Sequence, residues 1–300
     1  MNSATPRFGR ILTALVTPFD DEGELDLDEA QRLARHLVAE GNEGFVVCGT
    51  TGESPTLSDD EKLSMFAAVL EAVDVPVLAG TVGSDTVHSI ELSQRAAALG
   101  VHGILTLCPY YSRPSQAGIE AHFRAIAEAV NLPQIIYDIP IRTGRKVSSD
   151  VLVRLATEVP NIVGLKDAAG SPAETAQLIS AAPSSFEVYS GDDGLTLALL
   201  AVGAVGTIGV ATHWTAPDHV EMFDALNAGD LVHARRVNQR MLPSFSFETG
   251  DDAPNPIPSK AMLRTQGFAV GQCRLPLGSA PDGLEDRARR VYADLVGARG

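Results

Sequence analysis

The stretch Asn161-Ile-Val-Gly-Leu-Lys-Asp-Ala-Ala-Gly170 predicts a buried strand that ends at a lysine. Its first half is a short apolar run that follows Pro160 and ends at Lys166, a pattern typical of a buried strand. Burial disfavours a charged ammonium, so a lysine at the end of such a strand can supply the neutral amine that imine formation with a ketone requires. Taken alone, the stretch favours the alternative of a lysine that extends its amine into solvent.

Seven further apolar or β-branched runs alternate with amphipathic segments along the chain. With the run that ends at Lys166, the predicted strands cover residues 12–17, 45–48, 77–80, 104–108, 135–138, 162–166, 188–190 and 207–210. Segments with helical periodicity between them include residues 28–40, 59–73, 87–99 and 118–130. A spacing of roughly 19–33 residues between strand starts is typical of successive βα units. The sequence therefore predicts a (β/α)8 TIM barrel.

The pattern changes after the eighth run. From residue 216 onward only helical segments are predicted, near residues 217–227, 230–242, 258–266 and 284–296, with Pro- and Gly-rich joints between them. We therefore expect a barrel over residues 1–215, followed by a helical C-terminal extension over residues 216–300.

Composition narrows the classes of function. The 300 residues are 45% apolar, which is enough for a large core, and carry a net charge of −15 without any run of Lys or Arg. This charge argues against nucleic acid and anionic membrane surfaces as partners. A site for an anionic substrate would then depend on individual basic residues.

The cysteines and the first residues of the sequence bear on the cellular compartment. Cys48, Cys108 and Cys273 are odd in number and lack metal-ligand spacing, so we expect reduced thiols and no metal site. The first ten residues contain no apolar signal segment, and no apolar run reaches membrane length. These features predict a soluble, cytoplasmic protein.

In a parallel barrel, catalytic groups gather where the strands end. Tyr137 ends the predicted fifth strand, one strand before Lys166, which would bring a phenol and an amine into proton-transfer range. A tyrosine that only fills the core is the alternative. Arg142 lies in the next loop and could bind a carboxylate in bidentate fashion, or simply be solvated.

Other strand ends carry hydroxyls, aromatic rings and acids. Gly49-Thr-Thr-Gly-Glu53 could hold a carboxylate through its backbone N–H groups and hydroxyls, or be a structural turn; it lacks the lysine of a nucleotide-binding loop. Tyr110 and Tyr111 are either core aromatics or an edge that crosses to another subunit. Asp192 and Asp193 are expected to cap a following helix.

Six motifs together resemble those of the pyruvate-dependent class I aldolase superfamily, and they occur in that family's order. They are Gly49-Thr-Thr-Gly-Glu-Ser54, Pro109-Tyr-Tyr-Ser-Arg-Pro114, Tyr137-Asp-Ile-Pro-Ile-Arg-Thr-Gly144, Val163-Gly-Leu-Lys166, Ser190-Gly-Asp-Asp193 and Asn255-Pro-Ile-Pro258. The resemblance is greatest to the branch that condenses pyruvate with aspartate semialdehyde in lysine and diaminopimelate biosynthesis. The chain departs from that pattern at Ile141, where the family usually has glycine.

The resemblance implies catalytic roles for four residues. Lys166 would form the imine with pyruvate, and Tyr137 would pass protons to and from it. Thr50 and Tyr111 would complete the proton relay, with Tyr111 contributed by the neighbouring subunit.

The resemblance also implies substrate contacts and an assembly. Thr51 and the backbone of Ile208 would contact pyruvate, and Arg142 would receive the carboxylate of aspartate semialdehyde. The family assembles as a homotetramer, a dimer of tight dimers, and needs no metal or organic cofactor.

Two alternatives to this function remain. Another aldolase of the superfamily, such as an N-acetylneuraminate lyase or a sugar-acid aldolase, would share Lys166 and Tyr137; Arg142 and the Asn255-Pro-Ile-Pro258 motif favour the condensing branch. A non-catalytic barrel that binds a keto acid is the other alternative. Retention of the lysine, the tyrosine, both threonines and the arginine argues against it.

The resemblance further bears on feedback by L-lysine. Lysine-inhibited members share a pocket at the dimer interface, which in this chain corresponds to Ser54, Pro55, Asp59, Lys62, Ser84, His88 and Tyr110. The position of Lys62 is typically histidine, and that of His88 a glutamate that meets the ammonium of the effector. Lys62 adds a cation to this pocket, and His88 lacks the carboxylate of the glutamate. Both changes disfavour binding of an ammonium group. We therefore expect weak or absent inhibition by L-lysine.

Overall fold

In the computed structural model, which describes residues 5–81 and 83–299, eight strands form a closed parallel barrel in chain order. They are β1 (Ile11–Ala14), β2 (Gly44–Val47), β3 (Val77–Gly80), β4 (Gly103–Leu107), β5 (Gln134–Asp138), β6 (Ile162–Asp167), β7 (Glu187–Ser190) and β8 (Gly206–Gly209). Each lies within a few residues of its predicted position, so the predicted (β/α)8 barrel is confirmed.

Helices connect the strands and continue beyond the last one. Those up to β8 are α1 (Leu27–Ala39), α2 (Asp59–Ala72), α3 (Thr86–Ala98), α4 (Gln116–Ala129), α5 (Pro140–Thr143), α6 (Ser149–Glu158), α7 (Pro172–Ala181) and α8 (Thr196–Ala201). After β8 come α9 (Thr212–Asn227), α10 (Leu231–Phe247), α11 (Ile257–Thr265) and α12 (Leu284–Gly297). The predicted boundary between residues 215 and 216 falls inside α9, and the division into barrel and extension stays a prediction.

The first strand is shorter than predicted. It ends at Ala14 rather than at residue 17, because the N–H of Val16 donates to Nε2 of His213 at 3.2 Å instead of to a neighbouring strand. The hydroxyl of Thr17 donates to the carbonyl of Gly52 at 2.7 Å. The segment after β1 is thus held by side-chain contacts.

The chain forms two compact units, each with its own packing. The first contains Ile11–Val75 and Gly209–Gly300, and so carries β1, β2 and the C-terminal helices. Within it, the buried carboxylate of Asp218 pairs with Arg240 and with Arg299, each at 2.7 Å. This network joins α9 to α10 and to the end of the chain.

The second unit contains Asn2–Arg10 and Pro76–Ile208, and so carries β3 to β7 and most of β8. Its strands are buried and pair in parallel. A Cβ atom at Gly164 would lie 2.4 Å from the carbonyl oxygen of Glu187, so the close approach of β6 to β7 requires glycine there. β6 is therefore fixed closely beside β7.

Among residues 5–81 and 83–299, no helix combines the length and the apolar character needed to cross a membrane.

Candidate active site

Lys166 and Tyr137 are direct neighbours across two parallel strands. In the register of β5 and β6, Tyr137 pairs with Lys166, and Asp138 pairs with Asp167. The ammonium nitrogen of Lys166 lies 4.4 Å from the ring centroid of Tyr137, and each residue is only 4% exposed. The alternative of a solvent-extended lysine is therefore wrong. The structure instead holds an amine against an aromatic ring in a water-poor environment.

Gly191 makes room for the stem of Lys166. A Cβ atom at this position would lie 2.9 Å from Cγ and 3.1 Å from Cε of the lysine. The backbone of Gly191 is fixed by its N–H, which donates to the carbonyl of Asp167 at 2.7 Å. The turn after β7 thus sets one wall around the lysine.

Asp138 anchors the loop that carries Arg142. Its buried carboxylate accepts the N–H of Val147 at 3.1 Å and pairs with the ammonium of Lys146 at 3.3 Å. Arg142 lies on α5 within this loop, with its side chain exposed. Burial raises the pKa of the Asp138 carboxyl to about 6.

Tyr111 projects from the loop after β4. It is 95% exposed and has a positive φ of 67°, which is unusual for a residue other than glycine. In the same loop, Nε of Arg113 donates to the carbonyl of Gly144 at 3.1 Å, which ties this loop to the one that carries Arg142. Tyr111 is not a core aromatic of this chain.

The two candidate threonines lie in residues 49–54, which we call the threonine loop. Thr50 is half-buried, whereas Thr51 is buried and its hydroxyl accepts a hydrogen bond from Nδ2 of Asn255 at 3.1 Å. Glu53 is buried in the same loop and pairs with Lys260 at 2.7 Å. Sequence reasoning assigned no role to Asn255, Glu53 or Lys260, and no local sequence signal pairs residues so far apart.

The remaining candidates lie at the ends of the last two strands. Ile208 is fully buried in β8, so only its backbone could contact a ligand. Asp192 accepts the N–H of Gly194 at 2.9 Å and caps the short 3-10 turn after β7, which confirms the predicted capping role for this residue, whereas Asp193 lies inside the turn and does not cap it. The carboxylate of Asp192 therefore stabilises the local turn.

The cysteines are free and buried, and burial raises the pKa of Cys108 and of Cys273 to about 12. Both side chains are therefore thiols at neutral pH. No group of three or more His, Cys, Asp or Glu side chains within residues 5–81 and 83–299 is placed to hold a metal ion.

Residues 7–293 match the model of the dihydrodipicolinate synthetase family. The chain is 48% identical to a 4-hydroxy-tetrahydrodipicolinate synthase of Symbiobacterium thermophilum, with 96% of this chain and 98% of the relative aligned. It is similar to the lysine-bound structure of dihydrodipicolinate synthase from Cyanidioschyzon merolae, with 40% identity, a TM-score of 0.94, and 97% of this chain and 99% of that one covered. A Bacillus anthracis dihydrodipicolinate synthase gives 40% identity and a TM-score of 0.92, with 95% and 98% covered.

The raised pKa of Asp138 predicts how stability depends on pH. The folded protein binds this proton more tightly than the unfolded chain, where an aspartate has a pKa near 3.9. The resulting stabilisation is complete below about pH 4 and is lost as the pH rises through 6. Asp138→Asn removes this loss, so its free energy of unfolding relative to wild type should rise by about 2 kcal/mol between pH 4 and pH 7.

Urea unfolding at both pH values measures this difference. The exposed Asp150→Asn controls for removal of one negative charge. Parallel pH profiles for Asp138→Asn and wild type would show that burial does not perturb Asp138.

Proposed function

The chain belongs to the dihydrodipicolinate synthetase family, and we propose that it performs that family's condensation through an imine between Lys166 and pyruvate. It is a lyase that joins pyruvate to L-aspartate 4-semialdehyde and yields 4-hydroxy-tetrahydrodipicolinate. The observation that carries the proposed role is the buried contact between Lys166 and Tyr137 on paired strands. A desolvated amine beside a phenol suits imine chemistry, because both addition and dehydration move protons.

The reaction follows from the chemistry of the imine. The amine of Lys166 adds to the ketone of pyruvate and water leaves. The imine then accepts the electron pair released when a methyl proton is removed, which gives an enamine. The enamine carbon attacks the aldehyde, and the amino group of the second substrate adds to the imine carbon. Ring closure expels the lysine amine and regenerates the enzyme.

Tyr137 is the proposed donor and acceptor of these protons, and Thr50 and Tyr111 are proposed to extend the relay. Tyr137 is the penultimate residue of β5, and Thr50 lies in the threonine loop after β2. The 95% exposure of Tyr111 supports a role across an interface, because a solvated ring gains nothing within its own chain. A homotetramer built from tight dimers is the proposed assembly.

The proposed substrate contacts use backbone and hydroxyl groups for pyruvate and a guanidinium for the aldehyde. Thr51 and the backbone of Ile208 are proposed to hold pyruvate, and Arg142 the carboxylate of aspartate semialdehyde. The exposed Arg142 on an anchored loop supports this role. In a chain of net charge −15, it would also supply local positive charge for an anionic substrate.

Imine formation is tested by trapping. Pyruvate with borohydride should add one reduced pyruvyl group to wild type, seen by intact mass, and Lys166→Ala should abolish the adduct. Lys146→Ala, which removes a partly exposed lysine, is the matched control and should retain it. An adduct mapped to Lys62, Lys146 or Lys260 would contradict the assignment. A coupled assay with aspartate semialdehyde, beside cleavage of N-acetylneuraminate, separates the synthase from the other aldolases.

The predicted weakness of lysine feedback gains support from a contact in α2. Lys62 is 5% exposed and its ammonium lies 3.3 Å from the carboxylate of Asp59. Asp59 is the acid in this region that could replace the missing glutamate, and it already faces a cation. We expect L-lysine to inhibit the coupled assay weakly or not at all, because coupling reduced by about 1–3 kcal/mol weakens inhibition by roughly 5- to 150-fold. Half-inhibition at submillimolar L-lysine would contradict this expectation.

A further inference from the structure

The threonine loop has a backbone conformation that requires outside support. Cys48 directly before it and Glu53 within it both have a φ of 55°, in the left-handed region that residues other than glycine rarely adopt. Such conformations persist where the surrounding structure determines them, and they concentrate at functional sites. Thr50 and Thr51 lie between these two residues. The contacts that hold Glu53 therefore bear directly on the threonines.

A buried ion pair holds Glu53. One carboxylate oxygen of Glu53 lies 2.7 Å from the ammonium of Lys260 on α11, and the two side chains are 0% and 1% exposed. The other oxygen accepts the backbone N–H of Arg274 at 2.9 Å. The ammonium of Lys260 also donates to the carbonyl of Gln272 at 3.0 Å and lies 4.1 Å from the ring centroid of Phe19. Glu53 is thus fixed from the C-terminal helical segment.

The same helical segment reaches the loop at a second point. Nδ2 of Asn255 donates to the hydroxyl of Thr51, and the side-chain oxygen Oδ1 of Asn255 accepts a hydrogen bond from the hydroxyl of Ser259 at 3.3 Å. Asn255 and Lys260 therefore contact the loop at Thr51 and at Glu53. Both contacts fall after Thr50 in the sequence, whereas Cys48 lies before it. Both contacts come from residues around the start of α11.

The energetics of a buried ion pair favour a geometric role over a stabilising one. The cost of removing two charges from water largely offsets their attraction, so apolar replacements of similar size are often as stable. An apolar pair, however, makes no directional hydrogen bonds and so cannot fix the orientation of the backbone in the same way. We propose that Lys260 and Glu53 are positioning residues, whose ion pair sets the backbone of the threonine loop and with it the place of the Thr50 hydroxyl in proton transfer. The proposal rests on the role proposed above for Thr50.

Two variants separate positioning from stability. Lys260→Met leaves the Glu53 carboxylate buried without its cation, which should lower the melting temperature. Glu53→Gln/Lys260→Met removes both charges at similar volume and keeps an oxygen that can accept the Arg274 N–H, so the melting temperature should recover. We expect kcat to fall about tenfold or more in both, when it is expressed per active site counted by pyruvate and borohydride trapping. KM for pyruvate should change much less.

A double-mutant cycle shows whether Lys260 acts through Thr50. If it does, Lys260→Met should reduce kcat little further once Thr50→Ala is present. Arg240→Met is the matched control, because it also removes a cation from a buried carboxylate, that of Asp218, in the same unit. It should lower the melting temperature and leave kcat per active site unchanged.

The outcomes distinguish failure of the positioning role from failure of the proposed function. If kcat per active site recovers together with the melting temperature in Glu53→Gln/Lys260→Met, the pair is structural and the positioning role is overturned. Independent, multiplicative losses from Lys260→Met and Thr50→Ala would also overturn it. A wild-type protein that forms no adduct with pyruvate would instead overturn the proposed function, and this inference with it.

Discussion

The parallel pairing of β5 with β6 is the constraint on which the site depends. Its register places Tyr137 opposite Lys166, so that a phenol ring and an amine meet at 4.4 Å in a setting where both are buried. The proposed imine chemistry uses an amine with a proton carrier beside it, and each of these two side chains lies one residue before the end of its strand. Gly164 and Gly191 serve the same contact, because side chains there would displace β7 or the lysine stem.

Within each of the two units, a buried carboxylate fixes a loop that carries other candidate residues. Asp138 holds the loop with Arg142, and Glu53 holds the loop with Thr50. Each carboxylate contacts a lysine ammonium and a backbone N–H, and these two contacts set its direction. The loops can then present polar groups accurately even though their backbone is irregular. Burial of these acids costs free energy, and the contacts that they make fix the conformation of the loops.

Local sequence was sufficient to predict the eight strands and their order, and to place most of their ends within one residue. Lys166 and Tyr137 were found because an apolar run stops at each of them. The partnership of Glu53 with Lys260 could not be predicted in this way, since periodicity describes one segment and does not pair distant ones. The choice between a core and an exposed Tyr111 was likewise open, because it depends on a positive φ that no neighbouring glycine signals.

The most direct measurement of the central claim is the rate at which pyruvate forms its imine in Tyr137→Phe. The substitution keeps the ring against Lys166 and removes only the hydroxyl. Rapid quenching with borohydride should show imine formation slowed by on the order of 10²–10⁴, in a protein whose melting temperature is close to that of wild type. Imine formation at the wild-type rate would contradict the claim that the paired phenol carries protons for Lys166.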